Sequence, residues 1–477
     1  MEYETVVGME VHVELQTASK LFCSCAADHF QIPANEHVCP VCTGQPGALP
    51  VINEEAVRLT VMTGMALGCD IRPHSVFARK NYVYPDLPKG YQISQYEEPL
   101  CVDGYLDIDF GGEGGVKRVG IVRVHLEEDA GKLVHDGEAS LVDYNRASVP
   151  LMEIVSDSSL RSADEAFAYL QKIRQLVRYL GASSGDMEKG AMRCEANVSV
   201  RPAGASEYGT KVEVKNLNSF RSVRNAIHYE VERQIEALAA GESIRQVTMG
   251  WDEDAGATRE QRSKEFSDDY RYFPEPDLLD IQLSPEWLDG ARKRLPELPD
   301  AKAARFVEQF GLETADAELL VDDQGIAAYY EETLGAGADP KLANNWITGE
   351  VFRRLNEAAV AIDEIVVRPA HLAELIGLVQ DSTVNQTAAK EVFSLMWESG
   401  GSAADIVDER GLRQISDTSQ LESAVTQVIA DNGDAVDKVR DGNLKPIGFL
   451  MGQVMKATAG KANPKLVQEL LRAQIGA

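Results

Sequence analysis

The sequence predicts an α+β fold, in which a large and mainly antiparallel β domain precedes two helical domains. Short segments that alternate apolar and polar residues recur through about the first 290 residues, and such alternation is typical of half-buried strands. Helical stretches do not follow these strands at regular intervals, which argues against a doubly wound parallel sheet. Beyond RLPELPD, residues 294–300, two prolines mark a boundary and helical periodicity takes over.

Each predicted element follows from its own spacing of apolar residues. Helical spacing predicts two helices in the first domain, over 164–181 and 219–242. A second boundary near residue 405 gives three domains, which are residues 1–293, 294–405 and 406–477. The predicted strands are TVVGMEVHVEL, GYLDIDFGG, RVGIVRVHLEE, CEANVSVRP and TKVEVKNL, and the later helices include DAKAARFVEQFG, DPKLANNWITGEVFRRLNEAAV, HLAELIGLVQD, NQTAAKEVFSLMWESGG, TSQLESAVTQVIADN, NLKPIGFLMGQVMKATAGKANP and KLVQELLRAQI.

The charge of the chain is strongly acidic overall and basic in its last segment. The 477 residues carry a net charge of -29, which by itself argues against nucleic-acid binding because phosphate contacts need Lys and Arg. From Lys438 to Arg472, however, the chain has seven basic residues and only two acidic ones. This asymmetry predicts a basic module on an acidic body.

Composition also bears on the compartment. The seven cysteines are an odd number, which argues against a disulfide framework. The sequence has no run of 18 apolar residues and no basic segment followed by an apolar one at its start. We expect a cytoplasmic protein that does not contact a membrane.

Four of the cysteines form two close pairs, Cys23 with Cys25 and Cys39 with Cys42. Each pair can chelate one ion, and the intervening loop lets the pairs converge on a tetrahedral four-thiolate zinc site. Four protein ligands close such a site, so the zinc would be structural. Four ordinary free cysteines are the alternative, and His29 and His37 lie near enough in sequence to replace a thiol.

Carboxylates and histidines recur where strands are predicted. Alternation puts Glu10 and His12 on one face of the first strand, which fits either an ordinary solvated face or a row of metal ligands. Glu153 lies within an apolar run and needs a partner if it is buried. That partner is either a hard cation such as Mg²⁺ or an arginine or lysine in an ion pair, with Arg146 and Arg193 available.

Two further segments are rich in polar or aromatic groups. The first, which lies within residues 195–218, predicts a polar cleft or a structural hydrogen-bond network. The second, residues 79–95, suits a site wall, an RNA contact or a plain surface loop. The polar groups of the first segment are Glu195, Asn197, Glu213, Lys215, Asn216 and Asn218.

Ten motifs in order closely resemble the B-subunit family of the tRNA-dependent amidotransferases. They run from the first predicted strand to the last helices. The motifs are GMEVHVEL, CPVCTGQPGALP, KNYVYPDLPKGYQISQ, HLEEDAGK, VDYNRASVPLMEIVS, MRCEANVSVRP, EVKNLNSF, DYRYFPEPDL, DPKLANNW and GFLMGQVMKATAGKANP.

The resemblance implies a cradle-like N-terminal domain, a helical domain and a helical tail that binds tRNA. It implies a ligase that uses ATP to phosphorylate the side-chain carboxylate of misacylated Glu-tRNA(Gln), Asp-tRNA(Asn) or both. Ammonia from a glutamine-hydrolysing amidase, the A-subunit, would then form the amide, in a complex that also holds the small C-subunit. A zinc-stabilised RNA-binding scaffold without catalysis is the competing hypothesis.

The resemblance also implies roles for single residues. It implies a Mg²⁺ site at Glu10, His12, Glu127 and Glu153, with His12 acting as a ligand, through water or as a donor that shapes the site. Glu195 and Lys80 are further catalytic candidates, and Lys80 and Tyr82 match the ammonia path. Arg271, Tyr272 and Glu275 are assigned to the cleft, and the tRNA-binding candidates are Lys445, Lys456, Lys461 and Lys465.

Overall fold

The computed structural model describes residues 2–109, 115–137, 139–263, 270–414, 418–458, 460 and 462–476. The chain divides into two compact units, Met1–Leu298 and Pro299–Ala477.

Among its described residues, the first unit contains the strands and four helices. The helices are α1 (Glu54–Ala66), α2 (Ala163–Tyr179), α3 (Phe220–Ala239) and α4 (Pro285–Arg294). The strands are β1 (Tyr3–Glu14), β2 (Asp70–Ile71), β3 (His74–Ser75), β4 (Ala78–Asn81), β5 (Tyr91–Ser94), β6 (Cys101–Asp109), β7 (Val116–Glu128), β8 (Lys132–Asp136), β9 (Ala139–Asp143), β10 (Pro150–Ser156), β11 (Met192–Pro202), β12 (Val212–Leu217), β13 (Val247–Asp252), β14 (Ala257–Ser263), β15 (Phe273–Pro274) and β16 (Ile281–Gln282).

Nine of the described strands form one sheet, in the order β14-β13-β12-β11-β1-β10-β7-β6-β2. Its neighbouring strands are antiparallel except for β12 and β13, which run parallel. Because β1 lies near the middle, its side chains meet strands that come from distant parts of the sequence. The prediction of an α+β fold with a mainly antiparallel sheet is confirmed.

The two faces of β1 have opposite character. Val7, Met9, Val11 and Val13 are fully buried in one hydrophobic cluster, which also holds apolar side chains of α2. The helices that cover this face begin at side-chain caps, for example Ser162 before α2, where the hydroxyl accepts from a free backbone N–H. The opposite face of β1 carries the polar residues.

A small sheet with the order β15-β4-β5 lies against this polar face. Ser94 of β5 donates a hydrogen bond of 3.1 Å to Glu127 of β7, which fixes the contact between the two sheets. The segment 79–95, which the sequence left open as a wall, an RNA contact or a loop, therefore contains most of β4 and all of β5. It forms a wall of the polar face.

The second unit is helical. One predicted helix is interrupted, because a π-helix over Ile347–Val351 joins α8 to α9. Its helices are α5 (Pro299–Phe310), α6 (Thr314–Leu320), α7 (Gln324–Gly335), α8 (Pro340–Trp346), α9 (Phe352–Ala358), α10 (Pro369–Gln380), α11 (Gln386–Ser399), α12 (Ala403–Arg410), α13 (Thr418–Asp431), α14 (Gly433–Arg440), α15 (Pro446–Ala457) and α16 (Pro464–Ile475), with a 3₁₀ turn at Ile362–Glu364.

Two separate hydrophobic clusters stabilise the helical unit. One is built from buried residues between Ala303 and Val407, and the other from buried residues between Leu421 and Ile475. The predicted boundary near residue 405 falls close to the gap between the clusters, and the three-domain division stays a prediction. Within the part of the chain that the structure describes, no helix is both long and apolar enough to cross a bilayer.

Candidate active site and metal centres

Three side chains form a straight row across neighbouring strands on the polar face. Glu153 of β10 lies directly opposite His12 of β1 on one side and His125 of β7 on the other. Its Oε2 atom is 3.5 Å from His12 Nε2 and 3.2 Å from His125 Nε2. Directly opposed residues of antiparallel strands hold their side chains close together, so the register alone assembles this row.

Glu127 completes a group of possible metal ligands with two members of the row. Its Oε1 atom is 3.7 Å from His12 Nε2, and ligand atoms of His12, Glu127 and Glu153 all lie within 4.8 Å of one another. Around Mg²⁺, ligand atoms at about 2.1 Å are separated by roughly 3 to 4 Å. The three side chains fit such an ion, and the buried Nδ1 of His125 has no hydrogen-bond partner among the described residues.

A second group of carboxylates lies in the neighbouring row of the same face. Oxygen atoms of Glu10, Glu195 and Glu213 lie within 4.8 Å of one another, since β1 pairs with β11 so that Glu10 faces Glu195. The structure thus brings Glu10 together with Glu195 and Glu213, whereas the family resemblance grouped it with His12, Glu127 and Glu153.

Polar neighbours hold each carboxylate of this second group. Asn197 Nδ2 donates to Glu10 at 2.8 Å and Lys215 Nζ donates to Glu195 at 2.7 Å. Thr248 Oγ1 donates to Glu213 at 2.7 Å. The polar series of β11 and β12 is therefore a hydrogen-bonded network that also forms one side of the polar face.

The electrostatics of the two groups differ. Burial by itself would raise the pKa of Glu153, but His125 and His12 outweigh it and hold this pKa well below its usual range. Burial opposes protonation of His12, yet Glu153 and Glu127 raise its pKa to about 9. Burial and then the charges of Glu153 and Glu195 raise the pKa of Glu10. Excess negative charge at Glu10 is what a bound cation would relieve.

The arginines proposed as partners of Glu153 serve another carboxylate, so that alternative was wrong. Arg193 Nη2 donates to Asp129, and Arg146 Nε lies 3.6 Å from the same side chain. Although burial acts to raise it, the two guanidinium groups lower the pKa of Asp129 to about 2. The partners of Glu153 are the two histidines instead.

Lys80 lies beside the metal-ligand group inside a cage of tyrosine rings. Its Nζ is 4.9 Å from the ring centre of Tyr270 and 5.8 Å from that of Tyr82. Burial, the largest single influence, would lower the pKa of Lys80, but Glu127 and the other nearby acidic groups together outweigh it and raise this pKa. Lys80 is therefore a fixed positive charge next to the carboxylates.

The segment that supplies Tyr270 and Tyr272 is held by a partly buried ion pair. Arg79 Nε and Nη2 donate to the two oxygens of Glu275 at 2.6 and 2.8 Å, and Glu275 is buried. Next to this pair, Tyr272 stacks on Tyr96 with ring centres 4.1 Å apart. Arg271 is exposed.

The four predicted zinc ligands converge. Sulfur atoms of Cys23, Cys25, Cys39 and Cys42 lie within 4.8 Å of one another, and Cys39 and Cys42 Sγ are 3.8 Å apart. Zn–S bonds of about 2.3 Å in a tetrahedron give a sulfur–sulfur distance of about 3.8 Å. The geometry therefore fits one zinc ion bound by four thiolates.

The surroundings of the cluster favour a thiolate at Cys42, whereas the hydrogen bond with Cys42 raises the pKa of Cys23 and burial raises the pKa of Cys25 to about 11. The Cys23 thiol, assisted by the buried ammonium of Lys20, lowers the pKa of Cys42 to about 5, although burial opposes the shift. Lys20 Nζ is 3.7 Å from Cys42 Sγ. Both histidines considered as replacements are engaged elsewhere, since His29 Nε2 contacts Glu14 at 2.9 Å and His37 Nδ1 contacts a backbone oxygen at 2.7 Å.

Comparison with known proteins identifies the family. The GatB/GatE catalytic domain matches residues 5–289 and the GatB domain matches residues 328–475. The chain belongs to the GatB family. It is 51% identical to the B-subunit of the aspartyl/glutamyl-tRNA(Asn/Gln) amidotransferase from Thermodesulfovibrio yellowstonii, over 99% of both chains. It is also 51% identical to the protein of that name from Geotalea uraniireducens, again over 99% of both chains. The resemblance found in the sequence is confirmed, and the chain has a role within the amidotransferase, which is a ligase.

Most of the lysines predicted to bind tRNA are exposed on the tail of this GatB chain. Lys445, Lys456 and Lys465 are exposed, at the start of α15, in its last turn and in the first turn of α16. Phe449, also on α15, is 52% exposed. Lys461 lies outside the described residues.

Several residues of this GatB site were not singled out as site residues from the sequence. Strand register places His125 in the site. The small sheet places Ser94 there, together with Tyr96, which follows β5. His125 shares the strand and face of Glu127, so alternation alone gave a signal for it. Ser94 and Tyr96 gave no such signal, because their neighbours on the site come from more than 30 residues away in the sequence.

Proposed function

We propose that this chain phosphorylates the side-chain carboxylate of Glu-tRNA(Gln), Asp-tRNA(Asn) or both with ATP, and then forms the amide with ammonia. The observation that carries the proposal is that one sheet face holds two clusters of possible metal ligands. The clusters are His12–Glu127–Glu153 and Glu10–Glu195–Glu213. Phosphoryl transfer joins two anions, and a site with cation ligands beside Lys80 suits that task. The names of the relatives support the tRNA substrates.

The site residues have separate roles in this proposal. His12, Glu127 and Glu153 would hold one Mg²⁺, for which His12 must lose the proton that Glu153 and Glu127 favour in the free site. When bound, the ion would neutralise the phosphate oxygens and the substrate carboxylate. Lys80 contributes a fixed charge beside Glu127 for an anionic phosphate. Ser94 and His125 keep Glu127 and Glu153 in place.

The proposed reaction has two steps, which are phosphorylation of the carboxylate and formation of the amide. A carboxylate oxygen of the tRNA-bound side chain attacks the γ-phosphorus of ATP, and ADP leaves. Ammonia then attacks the carbonyl carbon of the acyl phosphate, inorganic phosphate leaves and a proton is lost. The acyl phosphate must be shielded from water between the steps, and we assign the tyrosine cage around Lys80 and Tyr82 to the path by which ammonia enters.

The partners follow from this chemistry. We propose an assembly with an amidase, the A-subunit, which supplies ammonia from glutamine, and with the small C-subunit, working in the cytoplasm where charged tRNA is used. The domains 1–293, 294–405 and 406–477 would act as the catalytic cradle, a helical domain and a tail for tRNA. Exposed Lys445, Lys456 and Lys465 support the role of the tail, and we include Lys461.

The cysteine cluster has a structural role in this proposal. Four thiolates fill the coordination of zinc and leave no open position for a reacting group. The zinc would hold the loop between β1 and α1 against the sheet, where Lys20 also donates to the backbone oxygen of Tyr144 at 3.2 Å.

The test is ADP formation by the assembled amidotransferase, with and without Glu-tRNA(Gln). The parent should form ADP when charged tRNA is present, and Glu127→Gln should reduce the rate at least a hundredfold while tRNA still binds. Glu188→Gln, at an exposed site, is the matched control and should behave as the parent. Binding of charged tRNA without ADP formation by the parent would contradict the proposal and favour a scaffold.

A further inference from the structure

The tyrosine pair at the rim of the site has an exposed aromatic ring. The rings of Tyr96 and Tyr272 are parallel within 2° with their centres 4.1 Å apart. Tyr272 is partly buried, whereas Tyr96 is 39% exposed. Tyr272 covers one face of the Tyr96 ring, so the exposed part of Tyr96 lies on its remaining surface, and exposed aromatic rings stack on bases of single-stranded nucleic acid.

The pair is tied to the reacting region through β5. Tyr96 lies two residues beyond Ser94, whose hydroxyl donates to Glu127 at 3.1 Å. Two residues of extended chain span roughly 7 Å. Between them, Gln95 is fixed because its Oε1 accepts from the backbone N–H of Leu126 at 2.9 Å. The two residues before Tyr96 are therefore tied by hydrogen bonds to Glu127 and to its neighbour Leu126, which limits how far Tyr96 can lie from Glu127.

Resting on the proposed function, we infer that the Tyr96–Tyr272 pair stacks on the terminal base of the charged tRNA. In such a substrate the side-chain carboxylate and the terminal base are joined through the ester and the ribose, about eight bonds apart. At about 1.5 Å per bond, with the usual zigzag, they are separated by roughly 10 Å. A carboxylate at Glu127 would thus put the base near Tyr96.

The exposure of the pair favours a tRNA end over the adenine of ATP. Small-ligand sites enclose most of the ligand in a concave pocket, whereas Tyr96 is exposed to solvent. A strand end that enters from solvent needs such an exposed platform. Arg271, exposed between Tyr270 and Tyr272 in the sequence, is a cation suited to the phosphate that precedes the terminal base.

The inference is tested with the assembled amidotransferase and tRNA that carries 2-aminopurine as its terminal base. Stacking on Tyr96 should quench the fluorescence on binding, Tyr96→Ala should abolish the quenching and Tyr96→Phe should restore it. With natural Glu-tRNA(Gln), Tyr96→Ala should raise the KM for tRNA about tenfold and leave the KM for ATP within about twofold. Tyr208→Ala, at another exposed tyrosine, is the matched control.

Two results would overturn the inference. One is full quenching in Tyr96→Ala, and the other is a raised KM for ATP with an unchanged KM for tRNA, which would assign the pair to the adenine of ATP. The fluorescence measurement needs no turnover, so a parent complex that quenches but forms no amide contradicts the proposed function alone.

Discussion

His125 Nε2 lies 3.2 Å from Glu153 Oε2, on the side of Glu153 away from His12. A histidine that contacts a metal-binding carboxylate fixes its orientation, and removing such a partner weakens metal binding about 10- to 100-fold. His125→Asn should therefore raise the Mg²⁺ concentration needed for half-maximal ADP formation by at least tenfold.

The measurement is a Mg²⁺ titration of the assembled enzyme, with Mn²⁺ binding followed by electron paramagnetic resonance. Excess Mg²⁺ should restore much of the rate, which a merely misfolded variant would not show. His135→Asn, in the exposed hairpin of β8 and β9, should match the parent. An unchanged Mg²⁺ requirement in His125→Asn would show that His125 does not position Glu153.

Loss of one thiol should empty the cysteine cluster. Cys42→Ala removes the sulfur that both Cys39 and Lys20 contact, and three ligands bind zinc far less tightly than four. We expect the zinc content of the purified chain to fall from about one equivalent to near zero and the thermal midpoint to fall. Cys69→Ala should keep the metal. Full zinc content in Cys42→Ala would place the metal elsewhere.

Charge reversal in the tail should weaken tRNA binding and flatten its dependence on salt. Each lost phosphate contact lowers the slope of log K against log salt by about 0.7 to 0.9. Lys445→Glu combined with Lys456→Glu should reduce the slope by about 1.5. Binding is measured at several salt concentrations by filter retention. Lys341→Glu, at an exposed position on α8, is the control, and equal slopes for the double variant and the parent would exclude the tail as the docking surface.

A surface histidine should make part of the stability depend on pH. Hydrogen bonds that His74 donates to Asp280 and Glu98 raise its pKa above the ordinary 6.5. Protonated His74 binds its partners in the folded state, so its contribution is complete below pH 6.5 and disappears as the pH rises through the folded-state pKa. The thermal midpoint of His74→Gln should fall below that of the parent by more at pH 6 than at pH 9.

Because these groups are exposed, high salt should shrink the difference. Calorimetry of the parent and the variant at both pH values, with and without about 1 M salt, provides the measurement. A difference that grows towards pH 9 would have the wrong sign for this ion pair.

Sequence patterns predicted what is local and missed what depends on register. Alternation put Glu10 and His12 on one face because that follows from the strand itself. Their separation into two groups depends on the pairing of Glu10 with Glu195 and of His12 with Glu153, which no short pattern encodes. The cysteine cluster was predictable since each chelating pair is close in sequence.

The partners of buried groups were the least predictable feature. An apolar neighbourhood showed that Glu153 needed a partner, but it did not distinguish an arginine from a histidine. Both arginines contact Asp129 instead. Asp129 follows β7, and its backbone is hydrogen-bonded to the turn before β10. Likewise, the stacking of Tyr96 on Tyr272 joins residues far apart in the chain, so composition revealed an aromatic surface without its geometry.

Phosphorylation of the substrate carboxylate is followed most directly by isotope transfer. Glu-tRNA(Gln) labelled with ¹⁸O in both side-chain carboxylate oxygens is amidated by the assembled enzyme with ATP and ammonia, and the inorganic phosphate is analysed by mass spectrometry. We expect one ¹⁸O in each phosphate formed with the amide, since the acyl phosphate breaks between carbon and oxygen. Unlabelled phosphate accompanying labelled amide would contradict an acyl-phosphate intermediate.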